Sequence, residues 1–182
     1  MIFNCLETDD LQTLLFAYKV YIRPLLEYCT PVWNPHQKQD ITLVEKVQKY
    51  FTRRLYYRCG LLKISYPERL KFLGLESLEL RRLHFDLCMT YNILHKENDL
   101  KISDFFIRAP SSSTRGHHMK LQGKANQNNI RMNAFSQRVI KIWNSLPKFV
   151  PGTNQPIVNA MNIKLFKERI SKLDFSQYLD FS

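Results

Sequence analysis

Only five glycines occur among the 182 residues, which argues against a loop-rich all-β architecture or one built to cradle phosphates in Gly-rich turns. No apolar run approaches the 18 or so residues a membrane-spanning helix needs, so no membrane partner is expected. The N-terminus is acidic (Glu7, Asp9, Asp10) and lacks the basic-then-apolar pattern of a secretory leader. None of the four cysteines (Cys5, Cys29, Cys59, Cys88) stands in a Cys-x-x-Cys pair, and none follows residue 88. That is the pattern of free thiols in a reducing compartment, so an intracellular protein, nuclear or cytoplasmic, is expected. Gly-x-Ser-x-Gly, Walker-type and His-Glu-x-x-His signatures are missing, as is any internal repeat.

What the chain has is apolar material and positive charge. Apolar residues make up 45% and aromatic residues 13%, ample for a buried core. The net charge is +11, and it rises along the chain. Residues 1–40 carry 3 Lys/Arg against 5 Asp/Glu, residues 41–99 carry 11 against 7, and residues 100–182 carry 13 against 4. Such a field attracts polyanions, of which nucleic acid is the commonest in cells.

Periodicity predicts a mainly α fold: small helical bundles with one short β-hairpin around residues 117–131. A first helix capped by Asp9 or Asp10 carries Leu11, Leu14, Leu15, Tyr18 and Ile22 on one stripe, and Pro24 kinks or restarts it. The Thr30–Pro35 segment reads as a turn, because it holds two prolines. From Asp40, a strong amphipathic helix places Ile41, Val44, Val47, Phe51 and Leu55 inward, with Lys46, Lys49, Arg53 and Arg54 opposite and Gly60 as its stop. A capped start at Ser65-Tyr66-Pro67-Glu68 opens a short helix ending at Gly74. Ser77 caps another, with Leu80, Leu83, Leu87, Tyr91 and Leu94 buried. After Pro110 and the Ser111–Thr114 tract, Lys120-Leu121 and Asn129-Ile130-Arg131 are the two expected strands, with Gln122–Asn128 between them. Asn133 opens a helix bearing Phe135, Val139, Ile142, Trp143 and Leu146, and a last one carries Ile163, Phe166, Ile170 and Leu173. The organisation expected is a helical unit at 1–60, a continuation packed on it at 61–100, a basic loop or hairpin segment at 101–132, and C-terminal helices at 133–182.

Sites for chemistry are few. Asp9-Asp10 could pair on metal ions as polymerase aspartates do, but helical periodicity follows them, so they read as helix caps. His84 and Cys88 stand four apart on one helix face, yet no second ligand pair accompanies them, and no metal or other cofactor is expected. Basic residues interleaved with aromatics are more informative. Lys49, Tyr50, Arg53, Arg54, Tyr57 and Arg58 combine phosphate-seeking charge with flat rings that stack on bases. Arg115 and Lys120 flank Gly116, which would let backbone approach a phosphate. Arg131, Arg138 and Lys141 lie on the polar side of the Trp143 helix. Trp33 and Trp143 are assigned to packing.

The order of several blocks also resembles a known family. Leu15 to Tyr28 (LFAYKVYIRPLLEY) followed by Pro31-Val32-Trp33, Asp40 to Gln48, Tyr66 to Arg82 and Asp86 to Leu94 are similar to the region after the palm in non-LTR, LINE-type retrotransposon reverse transcriptases of the jockey and CR1 kind. Phe105-Phe106, Thr114-Arg115-Gly116-His117, Phe135 to Pro147 and Phe166 to Leu173 continue the match in order. The resemblance implies a thumb and post-thumb region, a helical bundle that grips template–primer behind the active site. It implies a fragment lacking palm and fingers, hence no enzyme in itself. The implied partners are an RNA–DNA hybrid or other nucleic acid, and a palm-containing reverse transcriptase, with no small-molecule substrate. An accessory part of an active enzyme completed by another polypeptide, or a relic with only a structural or interaction role, are the rival readings.

Overall fold

In the computed structural model, residues 2–96, 99–110, 116–123 and 129–180 are described, the side chains of Ile2, Asn129 and Ile130 excepted. The described fold is mainly α with one short antiparallel strand pair. In chain order it comprises α1 (Ile2–Cys5), α2 (Leu11–Ala17), a π turn (Tyr18–Ile22), α3 (Arg23–Glu27), α4 (Thr30–Trp33), α5 (Lys38–Arg58), α6 (Tyr66–Leu73) and α7 (Leu78–Leu94). Then follow α8 (Ile102–Phe105), β1 (Ile107–Arg108), β2 (Leu121–Gln122), α9 (Asn129–Met132), α10 (Phe135–Ser145), α11 (Ile163–Ile170) and a 3₁₀ turn (Ser176–Tyr178). Two compact units divide it, one of Met1–Thr30 and Pro35–Arg82, the other of Pro31–Asn34 and Leu83–Asp180. No helix among the described residues is long and apolar enough to cross a membrane.

In the first unit, Asp10 caps α2 by accepting from Thr13 N at 2.7 Å. Asp9 takes no cap; it pairs with Arg58 at 3.1 Å. Pro24 falls in the first turn of α3, where the helix restarts as the sequence predicts. Its ring would crowd the carbonyl one turn back, and the chain widens ahead of it into a π turn, with Arg23 N donating to Tyr18 O. Pro31 does not exclude helix, and the turn it opens ends two residues before Pro35. Thr30–Trp33 forms one turn, since Pro31 falls in the first turn, where a missing N–H costs nothing. Trp33 is 40% exposed there, so of the two tryptophans assigned to packing only Trp143 is buried.

Helix α5 buries a face different from the one its apolar residues suggest. Ile41, Phe51 and Leu55 point inward, but Val47 is 40% exposed while Glu45 and Gln48 are fully buried. Tyr18 Oη donates to Gln48 Oε1 at 2.7 Å, and Gln48 Nε2 reaches Tyr66 Oη and Glu76 O, each at 3.0 Å. The Tyr66 hydroxyl donates to Glu45. The Glu45 carboxylate also accepts from Leu78 N at 2.9 Å, at the first turn of α7, where the free N–H groups favour an anion. Around this network Leu14, Leu15, Phe51, Leu55, Leu70 and Leu73 form the apolar core, with Tyr18 stacked on Phe51 at 4.5 Å. Helix α6 follows local rules: Ser65 and Glu68 form a capping box, and Gly74 ends it at φ +58°.

In the second unit Tyr91 of α7 stacks on Phe166 of α11 at 4.5 Å, and Trp143 of α10 lies 5.9 Å from the same ring. Strand β2 contains the expected Leu121, but its partner is β1, with Arg108 opposite Leu121. Residues 129–132 are helical instead. Leu121 has no bond left for a further strand: its N–H donates to Asn144 Oδ1 at 2.9 Å and its C=O accepts from Asn144 Nδ2 at 2.7 Å. In α10 Val139, Ile140 and Trp143 are buried, so Ile140 takes the inward place expected for Ile142.

Burial holds the Glu45 carboxyl above the usual carboxylate range, against the opposing pull of the Tyr66 hydroxyl, Arg82 and the Leu78 and Glu79 N–H groups. The folded state therefore binds more protons than the unfolded chain in the window above the ordinary value of 4.5, and this group's contribution to stability falls as pH rises through it. In thermal melts from about pH 4 to about pH 7, Glu45→Gln should gain on the native chain as pH rises. A stability difference independent of pH across that range would show that burial does not govern this carboxyl.

Candidate nucleic-acid interface

Because Glu45, Gln48, Thr52 and Leu55 face inward, the opposite side of α5 faces solvent. Lys46, Lys49, Tyr50, Arg53, Arg54 and Tyr57 recur there at spacings of three and four and all are exposed. At 1.5 Å per residue the stripe is about 17 Å long, enough to face several successive phosphates. It contains no carboxylate. Arg53 lies over the Tyr50 ring at 5.8 Å, Arg54 over Phe3 at 5.8 Å and Lys49 over Tyr66 at 5.9 Å. Such contacts orient a cation without neutralising it. Arg58, on the same helix, is engaged elsewhere: besides Asp9, its Nη1 donates to Phe3 O.

The stripe borders a cleft of about 440 Å³ in the same unit. Arg53, Arg54, Tyr56, Tyr57, Leu61, Lys63, Ile64 and Arg69 line it. Residue spacing does not single out Lys63 or Arg69. Arg69 falls on the buried side of α6, 7% exposed, and a buried arginine cannot be told from a solvated one by spacing alone.

The remaining sequence-predicted residues belong to the second unit. Arg138 is bound into the fold. Nε and Nη2 grip both oxygens of buried Asp86 at 2.9 Å, Nη2 also reaches Pro31 O at 2.8 Å, and Nη1 reaches Asn133 O at 3.0 Å. Its expected place among phosphate contacts gives way to this ion pair, because a carboxylate buried on α7 needs a cation. Lys141 of α10 and Arg131 of α9 are exposed. Lys120 lines a small cleft of about 200 Å³ with Gly116, His117, His118 and Lys148. Gly116 has φ +111°, a conformation side chains rarely adopt. His117 is buried; its Nε2–H donates to Trp143 O at 2.9 Å, and burial pushes its pKa down. Arg115 lies outside the described residues. His84 packs edge-on against Phe175, and burial pushes the Cys88 thiol up to about 11. Among the described residues no three His, Cys, Asp or Glu side chains gather as metal ligands would.

No protein-family model matches the chain, and no solved structure does. A Caenorhabditis elegans protein described as uncharacterized is 34% identical over 94 residues, 52% of this chain and 48% of that protein. The chain thus spans about half the length of the curated relative it matches.

Removing the side chain of Arg138 leaves the Asp86 carboxylate buried and unpaired, so Arg138→Ala should lose about 3–5 kcal/mol of unfolding free energy in urea titrations. Arg53→Ala, at the solvated stripe, should lose less than about 0.5 kcal/mol. Equal losses would place the two arginines in the same role.

Proposed function

We propose that this chain is a non-catalytic nucleic-acid-holding module of the kind found beyond the palm in LINE-type reverse transcriptases, gripping the backbone of an RNA–DNA hybrid. The observation that supports the reading is the α5 stripe, where four cations and two tyrosines share one exposed helix face without an acid. Lysine and arginine meet phosphates regardless of sequence, and tyrosine rings stack on any sugar or base, which suits a surface that must accept every template. The exposed Lys141 and Arg131 and the Lys120 cleft extend the same basic character into the second unit.

Affinity carried by phosphates falls linearly with the logarithm of salt concentration. Fluorescence anisotropy of a labelled hybrid, titrated at several salt concentrations, should give such a line. The triple variant Lys49→Ala/Arg53→Ala/Arg54→Ala should flatten its slope by about one unit per cation removed. A folded protein that binds nothing at low salt would sink the proposal.

A second reading, an accessory piece completed by a palm-bearing polypeptide, draws on a different face. Phe16, Val20, Tyr21, Leu25 and Tyr28, on α2, the π turn and the residues that follow, are all exposed, Leu25 by 79%. Apolar side chains recurring along one face are commonly covered by a partner. In sedimentation with a palm-and-fingers polypeptide of a jockey-type element, the native chain should co-sediment and Leu25→Asp should not. Independent sedimentation of the native chain would discard this reading.

A further inference from the structure

The cleft beside the α5 stripe has features that a surface meant only for backbone phosphates does not need. Arg69 is 7% exposed, yet among the described residues no carboxylate pairs with it. Its Nη1 donates to Ile64 O at 2.7 Å, its Nε makes a long contact of 3.4 Å with Thr52 Oγ1, and its guanidinium lies over the Tyr66 ring at 5.6 Å. A guanidinium held by a carbonyl, a hydroxyl and a ring keeps its positive charge, and an anion in the cleft would complete it. Among the described residues the Tyr56 hydroxyl, on a residue only 6% exposed, has no hydrogen-bond partner. Arg53, Arg54 and Lys63 add three cations to the same lining, and among the described residues no acid lines it.

The rest of the lining is apolar, supplied by Leu61, Ile64 and the flat faces of Tyr56 and Tyr57. A site for inorganic anions alone has no use for such walls. A volume of about 440 Å³ falls within the ~300–1,000 Å³ of pockets that enclose small ligands. An anionic group joined to a flat apolar one, at the end of a nucleic-acid-facing stripe, is the chemistry of a nucleotide.

We propose that this cleft receives one unstacked nucleotide of a single-stranded segment, its phosphate on Arg69 and the surrounding cations and its base against the Tyr57–Leu61 wall, with the Tyr56 hydroxyl donating to or accepting from the base edge. The proposal rests on the nucleic-acid reading of α5 and adds to it. The stripe holds backbone of any form, whereas the cleft selects a strand with a free base. An acidic peptide would satisfy the cations but leave the apolar walls and the buried hydroxyl unused.

Two hybrids with equal numbers of phosphates separate these contributions, one blunt and one ending in a three-nucleotide single-stranded overhang. The native chain should bind the overhang form about tenfold more tightly, the effect of one stacked base. Tyr56→Phe deletes only an unpartnered oxygen, so its thermal midpoint should not fall. It should weaken overhang binding about fivefold, the effect of one hydrogen bond, and leave blunt binding unchanged. Equal affinity for both forms, unaltered in Tyr56→Phe, would overturn the nucleotide site while leaving the backbone grip intact. Absence of binding to either form would overturn both. Displacement of the overhang form by poly-glutamate at matched charge would assign the cleft to acidic peptides and also overturn the proposal.

Discussion

Glu45 is a carboxylate with no exposure to water, and the first unit is organised around satisfying it. Tyr66 of α6 donates to it, Leu78 at the start of α7 donates its backbone N–H, and Gln48 ties the same cluster to Tyr18 at the head of the π turn. A buried ion of this sort contributes little net stability, since desolvation offsets most of its attraction. What it does is fix register, because each donor has one place to be. With Glu45 and Gln48 pinned inward, α5 has only one rotation about its axis, and that rotation turns six cationic and tyrosine side chains outward as a single stripe.

The charge left open on this surface depends on which cations the fold has already claimed. Arg58, Arg81 and Arg138 each meet a carboxylate. Among the described residues Arg53, Arg54 and Lys49 meet aromatic faces alone, and Arg69 meets a carbonyl, a hydroxyl and a ring. Among the described residues no acid stands on the α5 stripe or lines the cleft beside it. Net charge alone conceals this sorting, which leaves positive potential where it is open to a ligand.

Local chemistry made some elements legible from sequence and tertiary chemistry hid others. The capping box at Ser65 and Glu68 and the stop at Gly74 are settled within a few residues of chain, and they appear where the pattern places them. The exposed basic side of α5 was legible for the same reason: charged residues at helical spacing need no partner to face water. The inward side was misjudged at Val47 because the residues that displace it, Glu45 and Gln48, acquire partners from distant segments. Arg138 looked solvated until Asp86, 52 residues earlier, was brought against it. Leu121 was rightly read as a strand, but its second neighbour is the Asn144 side chain imitating a strand edge, an exchange no periodicity reveals. Of the cleft beside α5, spacing marks Arg53, Arg54 and Tyr57, whereas the walls from Leu61, Lys63, Ile64 and Arg69 are brought there by the tertiary fold.

The Asp86–Arg138 clasp also orders events in time. Asp86 lies on a helix whose sequence is complete by Leu94, yet its guanidinium partner is 52 residues further along the chain. At translation rates of roughly 5–20 residues per second, that delay is on the order of 3–10 s. Throughout it, a newly made α7 must keep its carboxylate hydrated at the ribosome surface, so the second unit cannot close until α10 has emerged. A message truncated between the two would yield a nascent chain with a helix that has no dry place to rest, and such a product is a natural substrate for cellular quality control.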